Sequence, residues 1–410
     1  MSADTTAEQS RVHPSLFFLL YLPYGMSGSY PTVTLGYLLA QAHVSVGAIA
    51  AMGAISLLPQ TWKALWAPLI DSTLTYKRWY LISAVTSALG MAATGFVTPS
   101  NANVFVIDWL VLAFSLASTL ISMTTDGLIA HSVPPEKKGV AAGWAQAGNL
   151  GGGSIGGGLA LYLAVHAHAN WVGGVTMMVF SLVSCVGLFF IAEPEHAHRA
   201  EKILATMLNI VKDVWSMAKS RLGYLAMVLL LLPAGTGSAA NLWSAVADNW
   251  GASADIVALV TGVLGGIVSL VGALLAGRIL DMFDRKGGYI AGAIGMALCA
   301  IAMAAAPRTP AMFIAFTLFY ALFNGYMYAA YSAVMLEAIG RGAAATKSPL
   351  FGSLTNMPLA LMTYVDGMAH DKLGSGGMLL TEAIVGIVVM GMFVAFAAAT
   401  RPRSREALAT

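Results

Sequence analysis

The sequence predicts an all-α membrane protein of twelve transmembrane helices in two six-helix, pseudo-symmetric halves. Three observations predict it. Of 410 residues, 58% are hydrophobic and only 10% charged, with a mean hydropathy of +0.75, whereas soluble domains carry roughly 25% charged residues. Apolar runs of the ~20 residues a helix needs to cross a bilayer recur from residue 15 to residue 400. The chain also repeats itself: LLYLPYGMSGS begins at Leu19 and LLLLPAGTGSA at Leu229, so that Pro23 maps to Pro233 and Gly25 to Gly235, each 210 residues on. The same shift carries Asp71 to Asp281 and Lys137 to Lys347. Two halves in parallel orientation with a site between them is a common plan of secondary transporters.

The predicted spans are 15–40, 44–70, 79–98, 104–132, 139–165 and 171–192, then 222–247, 254–280, 288–306, 311–338, 347–369 and 376–400. They divide the chain into a polar N-terminal tail (1–14), a first half (15–192), a linker (193–221), a second half (222–400) and a C-terminal tail (401–410). The linker opens with EPEHAHRAEK and continues as an amphipathic stretch expected to lie along the membrane surface. The polar start, followed by a span too long for a signal h-region, argues against a cleavable signal.

Basic residues set the orientation. They crowd one set of connections, which includes Arg11, Lys77, Arg78, Lys137, Lys138, the linker, Arg278, Arg285, Lys286, Arg341 and Lys347. The opposite set holds only Arg308 and Lys372. Both termini and the linker are therefore expected in the cytoplasm, and the Ala- and Gly-rich composition points to a bacterial inner membrane. A net charge of +2, scattered over loops, gives no reason to expect a nucleic-acid partner. Cys185 and Cys299 both fall in apolar spans and read as small core residues.

GRILDMFDRKGG (277–288) resembles the loop signature of the major facilitator superfamily, and APLIDSTLTYKR (67–78) is a looser copy in the matching loop of the first half. GSYPTVTLGYLL, LLPQTWKALWAPLID, TTDGLIAHSVPPEKKG and SLTNMPLALM resemble segments of the AmpG-type muropeptide permeases, whose broad clan includes acetyl-coenzyme A transporters and siderophore permeases. The more specific strings are Lys63, Trp66, Pro68 and Asp71, and Asp126 with Pro134, Pro135 and Glu136. The chain departs from those permeases in stopping after twelve spans and in having Thr124 and Thr125 before a single Asp126. The resemblance implies transport by alternating access. It implies a cytoplasmic gating network of Asp71, Lys77 and Arg78 in the first half, and of Asp281, Asp284, Arg285 and Lys286 in the second. Antiporters of the superfamily often carry Gly-Pro in the fifth span, and its absence here favours uptake over export.

Charges inside spans each need an account, because a charge at mid-bilayer costs a few kcal/mol. Lys63 lies eight residues before Asp71, and Asp126 eight before Pro134, so both sit ~12 Å inside their helix ends. They are expected to face one another or to share a site across a cavity, with Asp126 loading and releasing a proton. The alternatives are that Lys63 snorkels to the interface and Asp126 caps local backbone. Glu337 lies 211 residues after Asp126 and is a second proton-coupling candidate, although an interfacial pair with Arg341 one turn on explains it better. Asp366 is read as a loop residue near the outer end of the eleventh span.

Substrate contacts are expected from Lys63 with Tyr24, Tyr30, Gln60, Gln146, Asn149, Asn241, Trp243, Asn324, Tyr328 and Tyr331. Aromatic residues at helical spacing equally describe packing, but buried polar tips each need a partner. The run GNLGGGSIGGG (148–158) formally contains G-x-G-x-x-G. It follows no strand and lacks the Lys-Ser/Thr partner, so close helix packing explains it better than a nucleotide site. His166 and His168 lack a third metal ligand nearby. No metal, cofactor or enzymatic activity is expected. The sequence thus reads as a monomeric, proton-coupled uptake carrier for a medium-sized amphipathic anion, such as a siderophore or a peptidoglycan fragment. A proton-driven exporter and a non-transporting sensor are the alternatives.

Overall fold

The computed structural model describes residues 12–66, 69–70, 73–193, 212, 215, 219, 221–282, 285–339 and 352–399. Among these residues it is all-helical, without strands. Helix α1 (Leu16–Ser29) passes through a π turn, Tyr30–Leu35, into Gly36–Gln41. Helix α2 (Val46–Thr61) is followed by a 3-10 turn, Lys63–Trp66. Helices α3 (Tyr76–Phe96) and α4 (Val104–Ser132) are uninterrupted. Helix α5 (Lys138–Ser154) continues through a second π turn, Ile155–Leu159, to Ala160–His166, and α6 (Asn170–Ser184) ends in the 3-10 turn Cys185–Phe190.

After the linker, α7 (Arg221–Leu231) stops, and the chain resumes as three short turns, Ser238–Asn241, Trp243–Val246 and Ala247–Trp250. Helix α8 (Gly265–Met282) is entered through Ala254–Val257 and a third π turn, Ala258–Leu264. Helices α9 (Arg285–Ala305) and α10 (Pro310–Ile339) follow. Helix α11 (Asn356–Ala399) is broken at Gly374 (φ 72°), which reverses the chain into two arms. Seven of these helices are long and apolar enough to cross a membrane. Large apolar side chains such as Phe189 (86%) and Met282 (77%) lie exposed on the outside, a surface that suits lipid and not water.

Two predicted spans are corrected. Lys63 is not in the middle of a continuous helix. Pro59 removes one backbone donor from the last turns of α2, Trp62 leaves the helical basin (φ −118°, ψ 11°), and Lys63 opens the tighter turn beyond it. The seventh span is likewise discontinuous. Pro233 follows the end of α7, and Gly235 (φ 65°) and Gly237 (φ 76°) take the left-handed conformation that glycine tolerates. The repeat partner Pro23 stays inside α1, so the matching sequence gives unlike backbones. The expected surface helix of the linker, Glu337's side chain and the gating residues Asp71, Asp281 and Asp284 lie outside the described residues or side chains. Lys77 and Arg78 open α3, and Arg285 and Lys286 open α9.

Glycine explains the tightest packing. A Cβ at Gly148, Gly152 or Gly156 would press on the backbone of Phe18, Leu22 or Met26, so a stripe with a four-residue step lets α5 lie directly on α1. That is the packing expected of the run GNLGGGSIGGG. Helices α3 and α4, α3 and α6, α8 and α10, and both α10 and α11 on α9 form the other main pairs. Segments before and after the linker meet where α2 packs on α11 and where the π turns of α5 and α8 touch. At the latter contact a Cβ on Gly262 would lie 2.5 Å from Gly158 Cα.

Candidate functional site

The end of the bundle at which α2 begins, here the far end, carries polar contacts, most of them between the segments before and after the linker. Gln41 Nε2 donates to Asp248 Oδ2 at 2.7 Å, and the Gly47 N–H donates to Asp371 Oδ2 at 3.0 Å. Asn249 Nδ2 lies 2.9 Å from His370 Nε2, and His166 lies 3.7 Å from Asp255. Deeper in, Asn241 donates to Thr363 Oγ1 at 3.0 Å, and the Ser244 hydroxyl donates to the Thr32 carbonyl.

Toward the near end the sequence-predicted charges gather with α1 side chains in one cluster. Tyr21 donates to Asp126 Oδ1 at 3.0 Å, and Tyr24 donates to Gln60 Oε1 at 3.1 Å. The two rings meet edge to face at 5.5 Å, one turn of α1 apart. Lys63 Nζ sits 5.7 Å from the Tyr24 ring centroid, within cation–π range. The turn that ends α2 is what swings Lys63 to that ring. Asp126 remains exposed although α1 supplies its hydrogen bond. Tyr328 of α10 is 67% exposed and lies within electrostatic reach of Tyr24 and Lys63, which brings the second segment to the same cluster. Lys63 also feels Asp126, but among the described residues no ion pair closes between them.

Other expected contacts fall elsewhere. Tyr30 is fully buried, with its hydroxyl 3.2 Å from Thr94 Oγ1 and its ring against Phe114, so it is a packing residue between α1, α3 and α4. Trp243 is buried with its ring edge-on to Tyr320 at 5.2 Å, and it too packs. Gln146 is exposed and Asn149 half-buried on α5, with no hydrogen bond from either to the cluster among the described residues. Asn324 stands against the break after α7, where a Cβ on Gly237 would lie 2.5 Å from its Oδ1. Tyr331 gives its hydroxyl to Met335 Sδ at 3.5 Å.

Asp366 is not in a loop. It is wholly buried inside the first arm of α11, and Ser238 Oγ lies 2.6 Å from its Oδ2. Glu382, on the second arm, is 9% exposed and reaches the same serine at 3.1 Å; Tyr320 donates to it as well. The reversal at Gly374 is what brings two acids sixteen positions apart onto one hydroxyl. Sequence reasoning passed over Glu382, although an acid within an apolar span is the same signal that singled out Asp126.

A family profile described as Major Facilitator Superfamily matches residues 17–239. The chain is 28% identical over 283 residues to the anhydromuropeptide permease of Escherichia coli (strain K12), a match covering 65% of this chain and 56% of that one. The chain thus spans about half the length of the curated relatives it matches. Among solved structures, a point mutant of the nucleoside transporter NupG superposes with a TM-score of 0.72 at 15% identity, over 93% of this chain and 98% of that one. A POT family transporter in complex with 5-aminolevulinic acid gives 0.71 at 11% identity, over 94% and 96%. At such identities these two similarities speak for the fold alone.

Proposed function

The chain belongs to the major facilitator superfamily, and from that premise we propose that it is a proton-coupled uptake carrier for a medium-sized amphipathic solute bearing an anionic group. As a member of that family it is a multi-pass membrane transporter of small molecules and not an enzyme. The proposed architecture is twelve crossings in two six-helix halves (15–192 and 222–400), a cytoplasmic linker (193–221) and cytoplasmic tails, working as a monomer in the inner membrane by alternating access.

One observation supports the reading: Lys63, Tyr24, Gln60, Tyr21, Asp126 and Tyr328 lie in one cluster in which Asp126 and Tyr328 keep exposed surface. An unneutralised ammonium beside aromatic faces suits a carboxylate on an otherwise carbon-rich ligand. Asp126, hydrogen-bonded yet exposed, suits a group that trades a proton with the solute's entry. Segments joined at the far end and an exposed cluster toward the near end suit one extreme of an alternating cycle. Lys77, Arg78, Arg285 and Lys286, with Asp71, Asp281 and Asp284, remain the proposed near-end gate, and Glu337 a second coupling candidate.

A peptidoglycan fragment of the anhydromuropeptide kind is the first substrate to try, given the permease relative; siderophores of similar size come next. Proteoliposomes with an imposed pH gradient test the reading. Accumulation of an anhydromuropeptide by wild type, lost in Asp126→Asn, supports it. Equal accumulation in both proteins removes Asp126 from coupling. Outward movement driven by the same gradient makes the carrier an exporter.

A further inference from the structure

The buried carboxyls of Asp366 and Glu382 lie away from the Lys63–Asp126 cluster, toward the far end. Asp366 is eight residues before the reversal at Gly374 and Glu382 eight after it, which puts both ~12 Å inside that end. The proton count there is restrictive. Ser238 has one hydroxyl proton, yet its oxygen is 2.6 Å from Asp366 Oδ2 and 3.1 Å from Glu382 Oε1. It can donate to one carboxyl only. The other contact needs a proton carried by the carboxyl itself. Glu382 already takes the Tyr320 hydroxyl and the Ala239 backbone, and Thr236 Oγ1 lies 3.3 Å from Ser238 Oγ, so if Ser238 donates to Glu382 no described group donates to Asp366, and if it donates to Asp366 its contact with Glu382 has a proton only when Glu382 carries one.

No cation does the job instead. Among the described residues neither acid forms an ion pair. The titratable groups around them are Tyr320 on α10, Cys299 on α9, and His370 and Asp371 one turn along α11; Tyr289 on α9 is held by the Ala234 carbonyl. The facing stretch of α2, Val46–Thr61, has no titratable side chain. Two ionised carboxylates sharing one hydroxyl in such surroundings would cost several kcal/mol. A second observation points the same way. Asp366 Oδ1 and Glu382 Oε2 are buried with no hydrogen-bond partner. Unpartnered oxygens are expensive for a carboxylate and cheap for a neutral carboxylic acid.

We propose that Asp366 and Glu382 form a proton-binding site of the transport cycle, holding one shared proton in the conformation described and releasing it when the broken stretch after α7 moves Ser238. The inference rests on the proton-coupled reading above, and it adds a second carrier of the proton at the opposite depth from Asp126. The step is a simple transfer: a carboxyl O–H bond breaks, a water oxygen takes the proton, and water enters the place Ser238 has left, while Glu382 keeps the Tyr320 hydroxyl. The mobile part is already built. Gly235 and Gly237 hold the backbone out of helix just before Ser238, and non-helical backbone at membrane depth is tolerated where it serves a buried site.

Infrared difference spectroscopy on the full chain in lipid, between H2O and D2O, tests the proton directly, because only a protonated carboxyl shows the carboxylic C=O stretch. Wild type should show that band at pH 7, and the isosteric double variant D366N/E382Q should lack it. No band in wild type, or an unchanged band in the double variant, overturns the proposal. If the double variant does not fold, Ser238→Ala replaces it, and an unmoved band there counts against the pair as well. The coupling is read with an anhydromuropeptide in proteoliposomes. Glu382→Gln should lose at least tenfold in pH-driven accumulation and keep equilibrative exchange; unchanged accumulation would overturn the role. If wild type moves no anhydromuropeptide, the substrate reading has failed, while the infrared band still decides the site.

Discussion

Tyr21 holds Asp126 across 3.0 Å from the neighbouring helix, and yet Asp126 stays exposed. A partner that orients without enclosing leaves the acid able to change its protonation. Removing the partner should therefore matter more for coupling than for folding. Tyr21→Phe should lower stability by at most about 1 kcal/mol, since water reaches the freed oxygen. It should shift the pH dependence of uptake, whereas Asp126→Asn should abolish that dependence. Thermal unfolding and uptake measured across pH check the two halves of this expectation.

Lys63 is the one cation at the near-end cluster among the described residues, and its ring partner is Tyr24. Loss of a charged hydrogen bond to a ligand carboxylate costs about 1.5–3 kcal/mol, so Lys63→Met should raise the apparent KM roughly ten- to hundredfold. Lys63→Arg should recover part of that loss. Equal KM values for wild type and Lys63→Met would show that the ligand's charge is read elsewhere.

Gly237 combines a left-handed backbone with contact to Asn324. Gly237→Ala adds a strained φ, costing about 1–2 kcal/mol, and sets a methyl against the amide oxygen. The expected result is a lower Tm together with slower transport. Gly266→Ala, where a Cβ meets open space, is the control and should leave both unchanged.

The contact between the Gly47 N–H and Asp371 closes the far end. Asp371→Ala removes a charge-assisted bond worth about 1.5–3 kcal/mol and should shift the population toward a far-open state by tenfold or more. Modification of a cysteine placed at Ala245, 7% exposed in the present conformation, reads that shift. Labelling no faster than in the parent protein would mean that the seal lies in the packing of α2 on α11.

The stripe Gly148, Gly152 and Gly156 sets how closely α5 lies on α1. Gly152→Val should cost about 1–3 kcal/mol by overpacking and lower the Tm by several degrees. Gly143→Val, beside open space, should be near neutral.

Much of this organisation was legible in the sequence because the bilayer is a strict solvent. Apolar length located the helices: Val104–Ser132 falls where residues 104–132 were expected. The rarity of charge within the spans singled out Lys63 and Asp126, and the step of four in the glycines named the α1–α5 contact. Interruptions were less legible. Pro23 and Pro233 occupy matched sequence, but one stays in helix and the other follows a helix end, because the glycines after Pro233 accept positive φ and Asn324 fills the place beside Gly237. Nor does spacing tell which polar tip faces a cavity. Tyr30 and Trp243 were polar-tipped aromatics of apolar spans just as Tyr24 and Tyr328 were, and only the packing of Phe114 and Tyr320 against them decides that they are core. The pairing of Asp366 with Glu382 depends on a reversal at Gly374, a long-range fact that no local pattern carries.

The three π turns, in α1, α5 and α8, touch one another. Each holds a surplus residue in its turn, so its carbonyls are imperfectly matched and its pitch can change cheaply. Gathered at one place where glycine backbones from either side of the linker lie in contact, they make a pivot of low stiffness set between stiff levers. Any rocking of the two segments about that point translates a small angular change there into its largest travel at the distant, open rim. Under the proposed alternating access, the stroke would be fixed by how far the glycine contact sits from the rim, and lengthening or stiffening the levers would alter it without touching any ligand.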